Sequence, residues 1–153
     1  EEKEKKNYKS PIDILIPLGM GSRYNNIEIR MALRSIEKYL YGYRKVIVIS
    51  PKIPDFLVES SKLQLIQKKE DRCPAQSRVQ RKIEWALRNL DVTSEFAYWN
   101  DDFLVLQPFD VRETRNYISG KIALSDKETS GWQETKRRTG QILNNNNKSL
   151  YMY

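Results

Sequence analysis

Histidine is absent from all 153 residues, and that one absence removes several chemistries together. Without an imidazole the chain has no Cys-His pair, no Ser-His-Asp relay, no histidine zinc ligand and no histidine general base. Cysteine occurs once, at Cys73, so no internal disulfide forms. A single thiol with no base to activate it fits a packing role and a reducing, cytoplasmic setting. Apolar runs are short. None approaches the roughly 18 residues of a membrane-spanning helix, and no basic, apolar, small-residue leader opens the chain. No internal repeat is present. The chain begins at Glu1 rather than Met, so a longer parent protein is expected and these exclusions apply to this stretch alone. Asn147-Lys148-Ser149 fits the glycosylation-acceptor pattern, a match too short to outweigh the cytoplasmic expectation.

What remains is sufficient for a core. A chain of this length buries roughly 70% of its unfolded surface as one domain. The net charge of +7 and a pI near 9.4 attract anions, which covers nucleic acid, acidic headgroups and phosphorylated small molecules alike. Much of the excess sits in Lys3, Lys5, Lys6 and Lys9 and in Lys136-Arg137-Arg138, where a solvated surface is the simpler reading.

Residues 1–10 form a mixed-charge lead-in without apolar periodicity. Residues 12–18 read as a buried strand, 19–26 as a glycine-bearing loop, and 26–41 as a helix with Asn25 as N-cap. Ile29, Ala32, Leu33, Ile36 and Leu40 make its inner face, and Arg30, Arg34 and Lys38 a basic outer ridge. Arg23 stands in the loop after the first strand, where open α/β sheets receive ligands. The β-branched run Val46-Ile47-Val48-Ile49 suits an internal strand covered on both faces. A short helix is expected at 53–57 and a third strand at 63–66. A second helix over 76–90 would place Val79, Ile83, Ala86, Leu87 and Leu90 inside and Arg78, Arg81, Lys82 and Trp85 outside. Its start, with Arg78 or Lys82, is a candidate phosphate contact. Farther on, 118–124 reads as a short strand, 132–143 as a helix and 144–153 as a low-complexity end. Strands separated by helices predict one α/β domain over 11–143, its sheet mainly parallel and covered by helices on both faces.

The pattern is organised around Ser94–Leu106, where an apolar strand runs into Asn100-Asp101-Asp102 and resumes as Phe103-Leu104-Val105-Leu106. Paired oxygen side chains at the end of a buried strand suit a hard cation such as Mg²⁺ or Mn²⁺. If extended geometry continues through them, Asn100 and Asp102 share one side and Asp101 points away. Asp102 is then the first choice of ligand, with Asn100 or Asp101 assisting. A polar turn between two strands is the plain alternative.

Three segments resemble one family in order and spacing: 26–39 (Asn-Ile-Glu-Ile-Arg-Met-Ala-Leu-Arg-Ser-Ile-Glu-Lys-Tyr), 44–57 through Arg44-Lys45-Val46-Ile47-Val48-Ile49 and Ile53-Pro54-Asp55-Phe56-Leu57, and Tyr98-Trp99-Asn100-Asp101-Asp102-Phe103. They are similar to the Stealth sugar-phosphate transferases, within the nucleotide-diphospho-sugar transferase fold called GT-A, over roughly residues 12–110. The resemblance implies a parallel sheet whose first half binds a nucleotide sugar, with the acidic motif after the fourth strand holding Mn²⁺ or Mg²⁺ at the diphosphate. Ile16-Pro17-Leu18-Gly19 stands where the family carries a tryptophan and an aspartate, and no histidine matches its later catalytic one. Sugar transfer from the donor to an acceptor is therefore expected ahead of phosphotransfer, with metal stabilisation of the leaving group and one carboxylate base, Asp110 or Asp126. Arg23, Arg78 and Lys82 are the expected contacts to nucleotide or phosphates. Two other readings compete: a catalytically silent binding or scaffold domain, and, with less support, a nucleic-acid binder.

Overall fold

The computed structural model describes residues 10–113 and, beyond them, the short strands Gly120–Lys121 and Tyr151–Met152. The chain divides into two compact units, Glu1–Thr114 and Arg115–Tyr153, at a boundary inside the stretch read as one domain. In the first unit the elements are β1 (Ile12–Pro17), α1 (Ile27–Tyr39), β2 (Leu40–Tyr41), β3 (Tyr43–Ser50), β4 (Leu63–Gln67), α2 (Ala75–Asn89), β5 (Phe96–Tyr98), β6 (Phe109–Asp110) and one 3-10 turn, Val111–Glu113. In the second, β7 (Gly120–Lys121) pairs antiparallel with β8 (Tyr151–Met152). The strand expected at 118–124 is described only at β7. The expected helix at 132–143, Asp126 and Asn147-Lys148-Ser149 lie outside the described residues.

The expected α/β architecture is present. β4, β3, β1 and β5 lie side by side in that order, every neighbouring pair parallel. Strand alternation divides the buried residues between two faces. Ile14, Ile16, Val46 and Val48 pack with Ile29 and Ile36 of α1, while Leu15, Ile47 and Ile49 pack with Ala86 and Ile83 of α2. Each fully buried isoleucine is worth roughly 1.5–3 kcal/mol. That exceeds the few tenths by which Ile29 and Ile36 disfavour a helix. Among the described residues no helix is long and apolar enough to cross a membrane.

Four local expectations are corrected. Residues 53–57 form only a turn, closed by the Leu57 N–H on the Pro54 carbonyl at 3.0 Å, because Pro51 and Pro54 leave no room for a helical ladder. Asn25 does not cap α1: Asn25 and Asn26 are both left-handed, with φ of 52° and 59°, and the cap position is Asn26 without a side-chain bond. Ser22 Oγ instead accepts the Asn26 N–H at 2.9 Å and donates to Glu28 at 2.8 Å. The inner face of α2 is also rotated: Leu87 is exposed, whereas Lys82 is buried and Trp85 packs with the core. Finally, β5 stops at Tyr98, and residues 101–102 turn, with the Phe103 N–H on the Asn100 carbonyl at 3.2 Å. Alternation therefore does not carry through Asn100-Asp101-Asp102.

One charge is enclosed at the start of β1. Asp13 is fully buried; its carboxylate accepts from Arg44 Nε at 2.8 Å, Arg44 Nη2 at 2.6 Å and the Thr93 N–H at 3.0 Å. Arg44 also holds Asp91 at 2.9 Å, so the clasp joins β1, β3 and the chain leading into β5. Nearby Gly42, at φ 78°, has a second reason to be glycine. A Cβ there would stand 2.1 Å from Asp110 Oδ1 and 2.6 Å from Arg112 Nε.

Candidate functional site

From β1 the chain moves outward through β3 to β4, then returns to the other side of β1 as β5. The order of strands thus reverses at β1 and β5, and in doubly wound sheets ligands bind beyond the carboxyl ends at such a reversal. The two strands stay in register to the rim: Leu15 faces Tyr98, and the Trp99 N–H donates to the Leu15 carbonyl at 2.9 Å. Asn100-Asp101-Asp102 therefore turns beside the end of β1. Trp99 clamps this turn, donating from Nε1 to the Phe103 carbonyl at 3.1 Å and meeting the Phe103 ring edge-on.

Three carboxylates influence one another here. Burial pushes the Asp101 carboxyl above its ordinary value, and the charges of Asp102 and Glu28 push it further, against its own backbone N–H. Tyr98 is raised by burial and by Asp101 and Asp102, and its hydroxyl donates to Asn100 Oδ1. Among the described residues no lysine or arginine is ion-paired with Glu28, Asp101 or Asp102. Nor, among them, do three acidic, cysteine or histidine side chains converge closely enough to cage a metal. Mg²⁺ sites seldom need a cage, since one or two carboxylates with substrate phosphates and waters complete the shell. The oxygen donors fit a hard cation. Asn100 is the weakest of them, since its oxygen already accepts from Tyr98.

A cavity of about 380 Å³ lies at the same end of the sheet, lined by Gly19, Met20 and Ser22, by Asn25 and Asn26 at the start of α1, and by Lys52, Pro54, Asp55 and Phe56 after β3. Lys52 went unnoticed in the sequence, although Ser50-Pro51-Lys52 follows a buried strand as directly as the acidic motif follows β5.

The other expected site residues separate. Arg23 is exposed in the loop after β1, without an ion pair among the described residues. Arg78 is exposed in the first turns of α2, donating to the Cys73 carbonyl at 3.2 Å. Lys82, expected outside, is buried: its ammonium donates to the Leu18 carbonyl at 2.9 Å and pairs with Glu70 at 2.9 Å. It ties the end of β1 to α2. Asp110 is not brought to the acidic turn: β6 pairs with β2 beside Gly42, at the opposite end of the sheet, and the carboxylate is bound to Arg112 at 2.6 Å. Asp126 lies outside the described residues.

The like-charge crowding gives a test without any ligand. Asp101 keeps its proton to higher pH in the folded than in the unfolded chain, so stability falls as pH rises through that raised value. Asp101→Asn is expected to raise the urea midpoint at neutral pH and to lose this advantage in acid. A variant less stable than the parent at neutral pH would contradict it.

Comparison with protein-family models finds no match, and no curated protein matches the chain.

Proposed function

We propose that this chain is a metal-dependent glycosyltransferase domain of GT-A type, taking a nucleotide-activated sugar with Mn²⁺ or Mg²⁺ and passing the sugar to an acceptor. The observation that carries the reading is the carboxylate pair Asp101 and Asp102 at the reversal of strand order, with no cation paired to it among the described residues. Such a pair suits a divalent ion bridging to a diphosphate. Asp101 and Asp102 would hold the metal, which supplies charge stabilisation to the departing diphosphate. The cavity at Lys52, Asn25 and Asn26 suits the nucleoside end of the donor, with hydrogen-bonding groups over apolar Met20 and Phe56. Arg23, exposed in the loop after β1 and without an ion pair among the described residues, would meet the phosphates from that loop, with Lys52 in the cavity itself. Lys82 contributes indirectly by fixing the Leu18 carbonyl and so the start of that loop. Of the two expected bases, Asp110 is held by Arg112 at the other end of the sheet.

Thermal unfolding with nucleoside diphosphates tests the reading. Mn²⁺ and the fitting nucleotide together, near 100 times the dissociation constant, are expected to stabilise the fold by about 2.7 kcal/mol. Either alone should do much less, Asp102→Asn should lose the joint effect, and Arg23→Ala should weaken the nucleotide's part. No shift across the common nucleoside diphosphates and nucleotide sugars, with either metal, would leave the non-catalytic binding role as the better account.

A further inference from the structure

A second cavity, of about 290 Å³, lies toward the amino-terminal ends of the strands, away from the acidic turn. Its floor is apolar: Leu33 and Ile36 from α1, Val46 from β3, Leu63 from β4, and Phe56 and Leu57 from the connection between those strands. Its rim is basic, with Arg30, Arg34 and Lys62 against the single carboxylate Glu37. Phe56 is the one residue it shares with the cavity at the other end.

The cations are placed in a particular way. Arg30 lies over the Phe56 ring at 5.0 Å, and Lys62 over the Tyr43 ring at 5.0 Å. Lys62 also donates to the Tyr43 carbonyl at 3.3 Å. These contacts hold both side chains at the rim while leaving their charge without an acidic partner: none of Arg30, Arg34 or Lys62 is ion-paired among the described residues. Glu37 follows Arg34 by three residues on α1, yet no ion pair forms between them. A solvated basic ridge needs no apolar floor, and a plain core defect would not be rimmed by three unpaired cations. Together they suit a ligand that is apolar at one end and anionic at the other.

We infer that this groove is a binding site for a small organic anion: a flat or branched apolar body, seated on Leu33, Val46, Leu57 and Leu63, that carries a carboxylate or phosphate toward Arg34 and Lys62. The site shares only Phe56 with the cavity proposed for the donor and does not depend on that reading. Arg30, held over Phe56, and Lys62, held over Tyr43, both line the groove.

Naphthyl phosphate serves as the probe, followed in the intact chain by nuclear magnetic resonance of backbone amides and methyl groups. Saturable shifts are expected at Leu33, Val46, Leu57 and Leu63. Naphthol, which lacks the charge, and inorganic phosphate, which lacks the body, should each bind at least about tenfold more weakly. Arg34 and Lys62 are exposed, so the double variant Arg34→Glu, Lys62→Glu should keep the parent's spectrum away from the groove and lose naphthyl phosphate by at least about tenfold. The proposal is overturned if naphthyl phosphate gives no saturable shift at these residues, if either half-ligand binds as well as the whole, or if the charge-reversed protein binds like the parent.

Discussion

Asp13→Asn is expected to lose about 3 kcal/mol of unfolding free energy at neutral pH, as removal of one partner from a buried, hydrogen-bonded ion pair does. The carboxylate is fully buried and accepts three donors, two from Arg44 and one from the Thr93 N–H. An amide turns an N–H toward one of them, leaving buried donors without an acceptor. Arg44 keeps Asp91 and some contact with water, which holds the loss near the lower end of the range for such pairs. The pH dependence follows from the same contacts. Burial alone would raise the Asp13 carboxyl, but the Arg44 and Thr93 hydrogen bonds, with the charges of Arg44 and Lys45, hold it below its ordinary value. Its contribution is therefore complete above the unfolded value of about 3.9 and is lost as pH falls through the lower folded one. Urea titrations of parent and variant should converge in strong acid. An equal difference at neutral and strongly acid pH would refute the assignment.

Lys82→Met should lose a comparable amount, about 3 kcal/mol, although methionine fills nearly the same volume. Lys82 is 2% exposed, and its loss leaves the Leu18 carbonyl without that donor and Glu70 without its cation. A lysine on a solvated helix face would change stability by less than about 0.5 kcal/mol. The two accounts of this residue, strut or surface phosphate contact, are thus separated by urea titration alone. Faster hydrogen exchange at the Leu18 amide, which bonds the Ile49 carbonyl at 2.9 Å, should accompany the loss.

The fold was legible wherever one period dominated. Ile29, Ala32 and Ile36 fall on one side of α1 by spacing alone, and Val46-Ile47-Val48-Ile49 has no polar face to show water, so a strand covered on both sides was the consistent reading; Leu40, expected on the same helix face, is buried from β2 instead. Where a distant group decides the outcome, local pattern failed. Lys82 counts as polar until Glu70, from the preceding loop, neutralises it; the inner face of α2 then rotates and Leu87 is left outside. Asp110 looked like a free carboxylate because the pairing of Phe109 with Leu40, which carries it to the far end of the sheet, spans most of the unit. The acidic motif does follow a strand of the sheet, but that strand is not buried as expected: β5 lies at the sheet edge, with Phe96 and Ala97 half-buried and Tyr98 exposed. The alternation argument within it does not hold, because Trp99 and Phe103 close a turn there and Asp101 becomes the more enclosed carboxylate.

A metal and a nucleoside diphosphate are proposed to meet at the ends of β1 and β5. Manganese is paramagnetic, so its place can be read directly from the resonances it broadens in the presence of the nucleotide that stabilises the fold. Broadening is expected to centre on Asp101 and Asp102, to extend to Glu28 and the loop after Leu18, and to be abolished in Asp102→Asn. Broadening centred elsewhere, or unchanged in that variant, would contradict it.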